Sequence, residues 1–149
     1  MAEFFEAETP VLNAKRILAV DDIPDIARLI KVTLERCGYE VETVENGVLA
    51  LAKIKERTPD LLITDVLMPE MDGLELTAKI RADAAHADLP IILLPGKAAD
   101  RVLPDVRDFR KRGTTNILTK PFRPPELIAL VDSMLSRFQT IDESVKDQQ

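Results

Sequence analysis

Three runs of this chain are apolar from end to end: Ile17-Leu18-Ala19-Val20, Leu61-Leu62-Ile63 and Ile91-Ile92-Leu93-Leu94. A strand with one wet face alternates apolar and polar residues. A strand with no polar face must be covered on both sides, as in a parallel sheet packed between helices. With two weaker runs the expected strands number five: Arg16–Val20, Glu40–Val44, Leu61–Val66, Pro90–Leu94 and Asn116–Thr119. Glu40-Val41-Glu42-Thr43-Val44 alternates, so it reads as an edge strand.

Between the strands the period changes to that of a helix. Ile26, Leu29, Ile30, Thr33, Leu34 and Cys37 share one helical face, with Pro24 in the first turn and Gly38 as the stop. A second helix begins after the cap Asn46 and turns Ala50, Leu51 and Ile54 inward. A third runs from about Gly73 to Asp83 on Leu76 and Ile80. The last follows Pro124-Pro125 and carries Leu127, Leu130, Val131, Met134, Leu135 and Phe138. Strands alternating with helices predict a doubly wound α/β fold with right-handed crossovers.

At 149 residues the chain is long enough for one domain with a real core. It has no Trp and 4% aromatics, so that core must come from Leu, Ile, Val and Ala. A net charge of −6 argues against a nucleic-acid surface. Cys37 is the one cysteine, which excludes an internal disulfide and fits a packing role in a reducing compartment. Met1–Glu6 is acidic and lacks the apolar stretch of a signal peptide. No apolar run reaches the ~18 residues of a membrane span. The expectation is a soluble, cytoplasmic protein with no membrane partner. Its parts should be an N-terminal extension (1–15), one domain (16–138) and a C-terminal tail (139–149). Phe4 and Phe5 are the only feature that could dock the N-terminal arm on anything.

The chemistry gathers where strands end. The first strand runs into Asp21-Asp22, the third into Asp65 and the fifth into Lys120-Pro121. In open α/β sheets, ligands sit at the carboxyl ends of strands near the topological switch point. Three carboxylates meeting there repel one another. A hard divalent cation and a nearby ammonium both relieve that repulsion, and Mg²⁺ is the natural candidate for the first. One aspartate at a strand end would usually be a helix cap. An adjacent pair, a third aspartate one strand over and a lysine on the last strand are hard to explain that way. His86 sits in a polar loop, Ala84–Asp88, and reads as a surface residue without metal-ligand partners.

Residues 16–138 resemble the response-regulator receiver domain. The segments that carry the resemblance are Ile17-Leu18-Ala19-Val20-Asp21-Asp22, Asp65-Val66-Leu67-Met68-Pro69-Glu70-Met71-Asp72-Gly73 and Thr119-Lys120-Pro121-Phe122. The resemblance implies a flavodoxin-like (βα)5 fold with strand order 2-1-3-4-5. It implies Asp65 as phosphoacceptor and Asp21, Asp22, Asp65 and the Leu67 backbone carbonyl as Mg²⁺ ligands. It also implies that Lys120 pairs with the phosphoryl group, with a cis bond before Pro121. A sensor histidine kinase or histidine phosphotransfer protein would be the donor, and an unidentified protein the downstream target. The chain would be a signalling domain rather than an enzyme. An aspartate-nucleophile phosphatase would place its second acid two residues after its nucleophile, and Asp21-Asp22-Ile23-Pro24-Asp25 does not fit that spacing.

The chain departs from the family in its switch. Pro95 stands where receivers carry Thr or Ser, and Ile117 where they carry Tyr or Phe. Proline offers neither a hydroxyl nor an N–H. The expected readout is therefore atypical, with Gly96 donating its N–H to a phosphoryl oxygen. The alternative is a receiver-like interaction module that is never phosphorylated. Leu67 offers no hydrogen bond to an attacking water, so slow loss of the phosphoryl group is expected. Pro104 favours a first helical turn and disfavours helix before it. A short helix is expected from Pro104 to the Arg110-Lys111-Arg112 cluster, after a long Gly96–Leu103 loop.

Overall fold

The computed structural model describes residues 14–96 and 115–135. The strands are β1 (Arg16–Val20), β2 (Glu40–Val44), β3 (Leu61–Asp65), β4 (Ile91–Leu94) and β5 (Thr115–Ile117). The helices are α1 (Pro24–Glu35), α2 (Gly47–Glu56), α3 (Gly73–Ala82) and α4 (Pro124–Met134), with a 3₁₀ turn at Ala84–His86. All strand pairs are parallel and the order is β2-β1-β3-β4-β5. The alternating strand β2 is indeed at an edge. The expected short helix after Pro104, residues 97–103 of the expected loop, and Phe138 lie outside the described residues.

The doubly apolar strands serve two cores at once. Ile17 and Ala19 of β1, Leu61 and Ile63 of β3, and Ile92 and Leu94 of β4 face one side, against Ile30 and Leu34 of α1 and Leu127 and Val131 of α4. Leu18, Val20, Leu62, Ile91 and Leu93 face the other, against Ala50 and Ile54 of α2 and Leu76 and Ile80 of α3. The period-2 alternation of the strands thus feeds two separate helical stripes. One expectation fails in α1. Leu29 is 42% exposed, at the margin of a stripe narrower than the sequence pattern implies.

Local signals start and stop these helices. Asn46 accepts the Leu49 N–H at 2.8 Å, and Asp72 with Glu75 forms a reciprocal capping box. Gly38 ends α1 at φ 94°, a left-handed conformation that costs glycine little. Tyr39 follows, buried, and its hydroxyl donates to Asp132 on α4.

At the amino end of the sheet several charges meet backbone or side-chain partners. Asp60 accepts the Arg16 N–H at 2.8 Å, and the Arg16 guanidinium donates to the Thr58 carbonyl at 3.2 Å. Arg81 donates to the carbonyls of Leu89 at 2.7 Å and Ala87 at 3.1 Å, and to the Thr115 hydroxyl at 2.9 Å. One long side chain on α3 therefore pins both the loop into β4 and the first residue of β5. His86 is not the free surface residue expected. Its side chain is 11% exposed, with Nε2 2.9 Å from the Thr58 hydroxyl and Nδ1 3.2 Å from Asp83.

Candidate functional site

β1 lies between β2 and β3, so successive connections leave it on opposite sides and a crevice opens above the β1 and β3 ends. Asp21 and Asp22 follow β1, and Asp65 is the last residue of β3. Asp21 is 2% and Asp65 7% exposed, while Asp22 lies open to solvent. Carboxylate oxygens of the three lie within 4.8 Å of one another. Lys120, just beyond β5, places Nζ 3.0 Å from Asp21 Oδ2 and 3.1 Å from Asp65 Oδ1. The four residues singled out in the sequence thus converge in one place.

The backbone orients Asp21, Asp65 and Lys120. The Ile23 N–H donates to Asp21 Oδ1 at 3.0 Å, and the Val66 N–H to Asp65 Oδ1 at 2.8 Å. Among the described residues Asp65 Oδ2 receives no hydrogen bond. The Lys120–Pro121 peptide is cis, as expected. The Lys120 N–H donates to the Pro95 carbonyl at 2.8 Å, so Pro95 still helps to place the lysine although it has no hydroxyl. Burial pushes the Asp65 carboxyl above its ordinary value, Asp21 pushes it the same way, and Lys120 opposes both.

One contributor was not foreseen as part of the site. A Cβ at Gly73 would lie 2.2 Å from the Asp65 carbonyl oxygen, so only glycine lets α3 start this close to the β3 end. The Gly73 N–H donates to the Val66 carbonyl at 2.7 Å and fixes the loop between them. The Met-Asp-Gly run was the available signal. Glu70, at the tip of that loop, adopts φ 72°. Gly96, by contrast, has open space where a Cβ would stand and is half-buried. Pro95 is buried, and Ile117 packs half-buried against the core under α2 and α3. Leu67 packs against that same core from the loop after Asp65.

The donor set suits a hard cation. It consists of carboxylate oxygens alone, with no sulfur or nitrogen ligand among them, and it is grouped closely enough for one ion.

Residues 17–132 match the response regulator receiver domain, and the chain belongs to that family of two-component signalling domains. It is 38% identical over 121 residues to the response regulator receiver protein CpdR of Brucella abortus, covering 81% of this chain and 97% of that one. It is 33% identical over 131 residues to the DNA-binding dual master transcriptional regulator RpaA of Synechocystis, covering 88% of this chain and 53% of RpaA. The chain spans about half the length of RpaA and of several other DNA-binding or transcriptional regulators that it matches. Among solved structures it superposes on the chemotaxis response regulator CheY4 of Vibrio cholerae with a TM-score of 0.72, at 33% identity, covering 82% and 99% of the two chains. The receiver domain of a Pseudomonas aeruginosa sensor histidine kinase, described with magnesium coordinated in its active-site cleft, gives a TM-score of 0.71 at 28% identity, covering 83% and 98%.

Proposed function

We propose that Asp65 accepts a phosphoryl group from a phosphorylated histidine of a sensor kinase or phosphotransfer protein, in a Mg²⁺-dependent reaction. The observation that carries this reading is the convergence of Asp21, Asp22, Asp65 and Lys120 at the switch point of the sheet. Asp65 Oδ1 is held by the Val66 N–H and by Lys120, which leaves Oδ2 to attack phosphorus. The new O–P bond forms as the donor's N–P bond breaks, and the departing imidazole takes up a proton. Lys120 offsets negative charge that spreads over the phosphoryl oxygens in transit. Asp21, Asp22, Asp65 and the Leu67 carbonyl would hold Mg²⁺, whose charge supplies the remaining neutralisation. The signalling protein then works at Asp65 on itself, in the cytoplasm, and not on a free substrate. Its net charge of −6 gives no support to a nucleic-acid contact by this domain.

The readout we propose runs through the Gly96 N–H, because Pro95 and Ile117 remove the hydroxyl and the aromatic ring that receivers ordinarily move. The same two residues favour a second reading, an interaction module that binds its partner without phosphorylation. One experiment separates the two. The full chain is incubated with acetyl phosphate and Mg²⁺, and its intact mass is measured. A gain of one phosphoryl group that disappears in Asp65→Asn supports the first reading. No gain, or a gain that survives in Asp65→Asn, overturns it.

A further inference from the structure

On the face of the sheet away from α1, the helices α2 and α3 leave a groove of about 450 Å³ between them. Its floor is apolar, formed by Leu51, Ile54 and Ile80, with Met71 closing the end nearer the Asp65 loop. Its rim carries Lys55 and Lys79, both exposed, and among the described residues neither makes an ion pair. Asp83 at the far end is already engaged by the Ala85 N–H at 2.9 Å and by His86. An apolar slot rimmed by two ammonium groups, of which Lys55 already lies within the field of Asp83, calls for an acidic segment with large apolar side chains.

We propose that this groove seats the chain's own N-terminal segment, residues 1–13, with Phe4 and Phe5 on the Leu51–Ile54–Ile80 floor. That segment holds Glu3, Glu6 and Glu8 and no lysine or arginine, the complement of the rim. Its two phenylalanines are the large apolar anchors that such a floor takes. The described chain starts at the correct end of the molecule. Arg16 donates to the Thr58 carbonyl, and the Thr58 hydroxyl lies 2.9 Å from His86, a lining residue of the groove. Phe5 is nine residues before Ala14, and nine extended residues span about 30 Å, ample to run from β1 along the groove. Seated there, the segment would lean on Met71, in the loop that follows Asp65, and so touch the phosphoacceptor's own connection.

The test uses the full chain with labelled methyl groups, observed by NMR. Wild type is compared with the Phe4→Ala/Phe5→Ala and Lys55→Glu/Lys79→Glu variants. The expected result is ring-current-shifted methyl signals for Leu51, Ile54 and Ile80, with cross-relaxation to phenylalanine rings, unchanged on dilution. Either pair of substitutions should reduce the seated fraction on the order of tenfold. Shifts centred on Ile23, Val48 and Leu49 would place the segment elsewhere and overturn the proposal. So would shifts that fade on dilution, which would mean a second copy, or shifts that survive both pairs of substitutions.

Discussion

Asp65 and Asp83 stand at opposite ends of the same sheet and are treated in opposite ways. Asp65 is buried beside Asp21, and its carboxyl is pushed up, first by burial and then by that neighbour. Asp83 is exposed and is held below its ordinary value, chiefly by the Ala85 N–H and secondarily by His86 and Lys55. The contrast extends to their surroundings. At the amino end Arg16, Asp60, Arg81 and Asp83 have their bonds within the fold. At the carboxyl end three carboxylates cluster, and one lysine pairs with two of them, Asp21 and Asp65. Charge that is satisfied locally holds loops in place. Charge left in conflict marks where an external ion or group belongs.

The sharpest way to break this contrast is to move α3 away from β3. Gly73→Ala puts a methyl group 2.2 Å from a backbone oxygen. It should cost about 3 kcal/mol or more and abolish phosphoryl uptake, as read by denaturant unfolding and intact mass. Full uptake in a stable variant would show that the close approach is not needed.

At the other end, Arg81→Met should cost about 1–3 kcal/mol, because the partly buried Leu89 carbonyl and Thr115 hydroxyl lose a charged donor. Phosphoryl uptake per folded molecule should stay at the wild-type level. A selective loss of uptake would mean that the two ends are coupled.

Asp65→Asn should raise stability in the absence of Mg²⁺ by about 0.5–2 kcal/mol, the usual gain from relieving a functional site. The sign with pH follows from the raised carboxyl. Its cost is absent below the ordinary value of 3.8 and grows as pH rises through the higher folded value. The gap between variant and wild type should therefore widen with pH and narrow when Mg²⁺ is added. A gap that is flat with pH would contradict it.

The smallest effect is expected at Asp83, with the opposite sign. A lowered carboxyl stabilises above its ordinary value of 3.8 and loses that contribution as pH falls through the folded one. Asp83→Asn keeps the cap but not the charge. It should be slightly less stable than wild type near neutrality and equal to it in acid, in matched thermal melts. A difference that persists in acid would point to packing.

The core and the acid cluster were legible because each leaves a mark in the residues themselves. Doubly apolar runs such as Ile91–Leu94 admit one kind of strand, and carboxylates at successive strand ends cannot all be caps. Strand order came from resemblance, since pattern alone does not say which strands are neighbours. Arg81 was illegible because an arginine in the last turn of a helix ordinarily reads as solvated, and its bonds depend on where β5 begins. Leu29 and His86 were misplaced for a related reason. Helical periodicity sets an angle but not the width of the covering surface, and a polar loop can fold back on a neighbouring turn.

The site is also distributed unevenly along the chain. Asp21 and Asp22 directly follow the first strand and Asp65 ends the third, whereas Lys120 arrives 55 residues after Asp65. At a synthesis rate of 5–20 residues per second, roughly three to eleven seconds separate them on the ribosome. For that interval the nascent acid cluster has no ammonium of its own, and the lysine that completes the pocket is among the last pieces of the domain to be made.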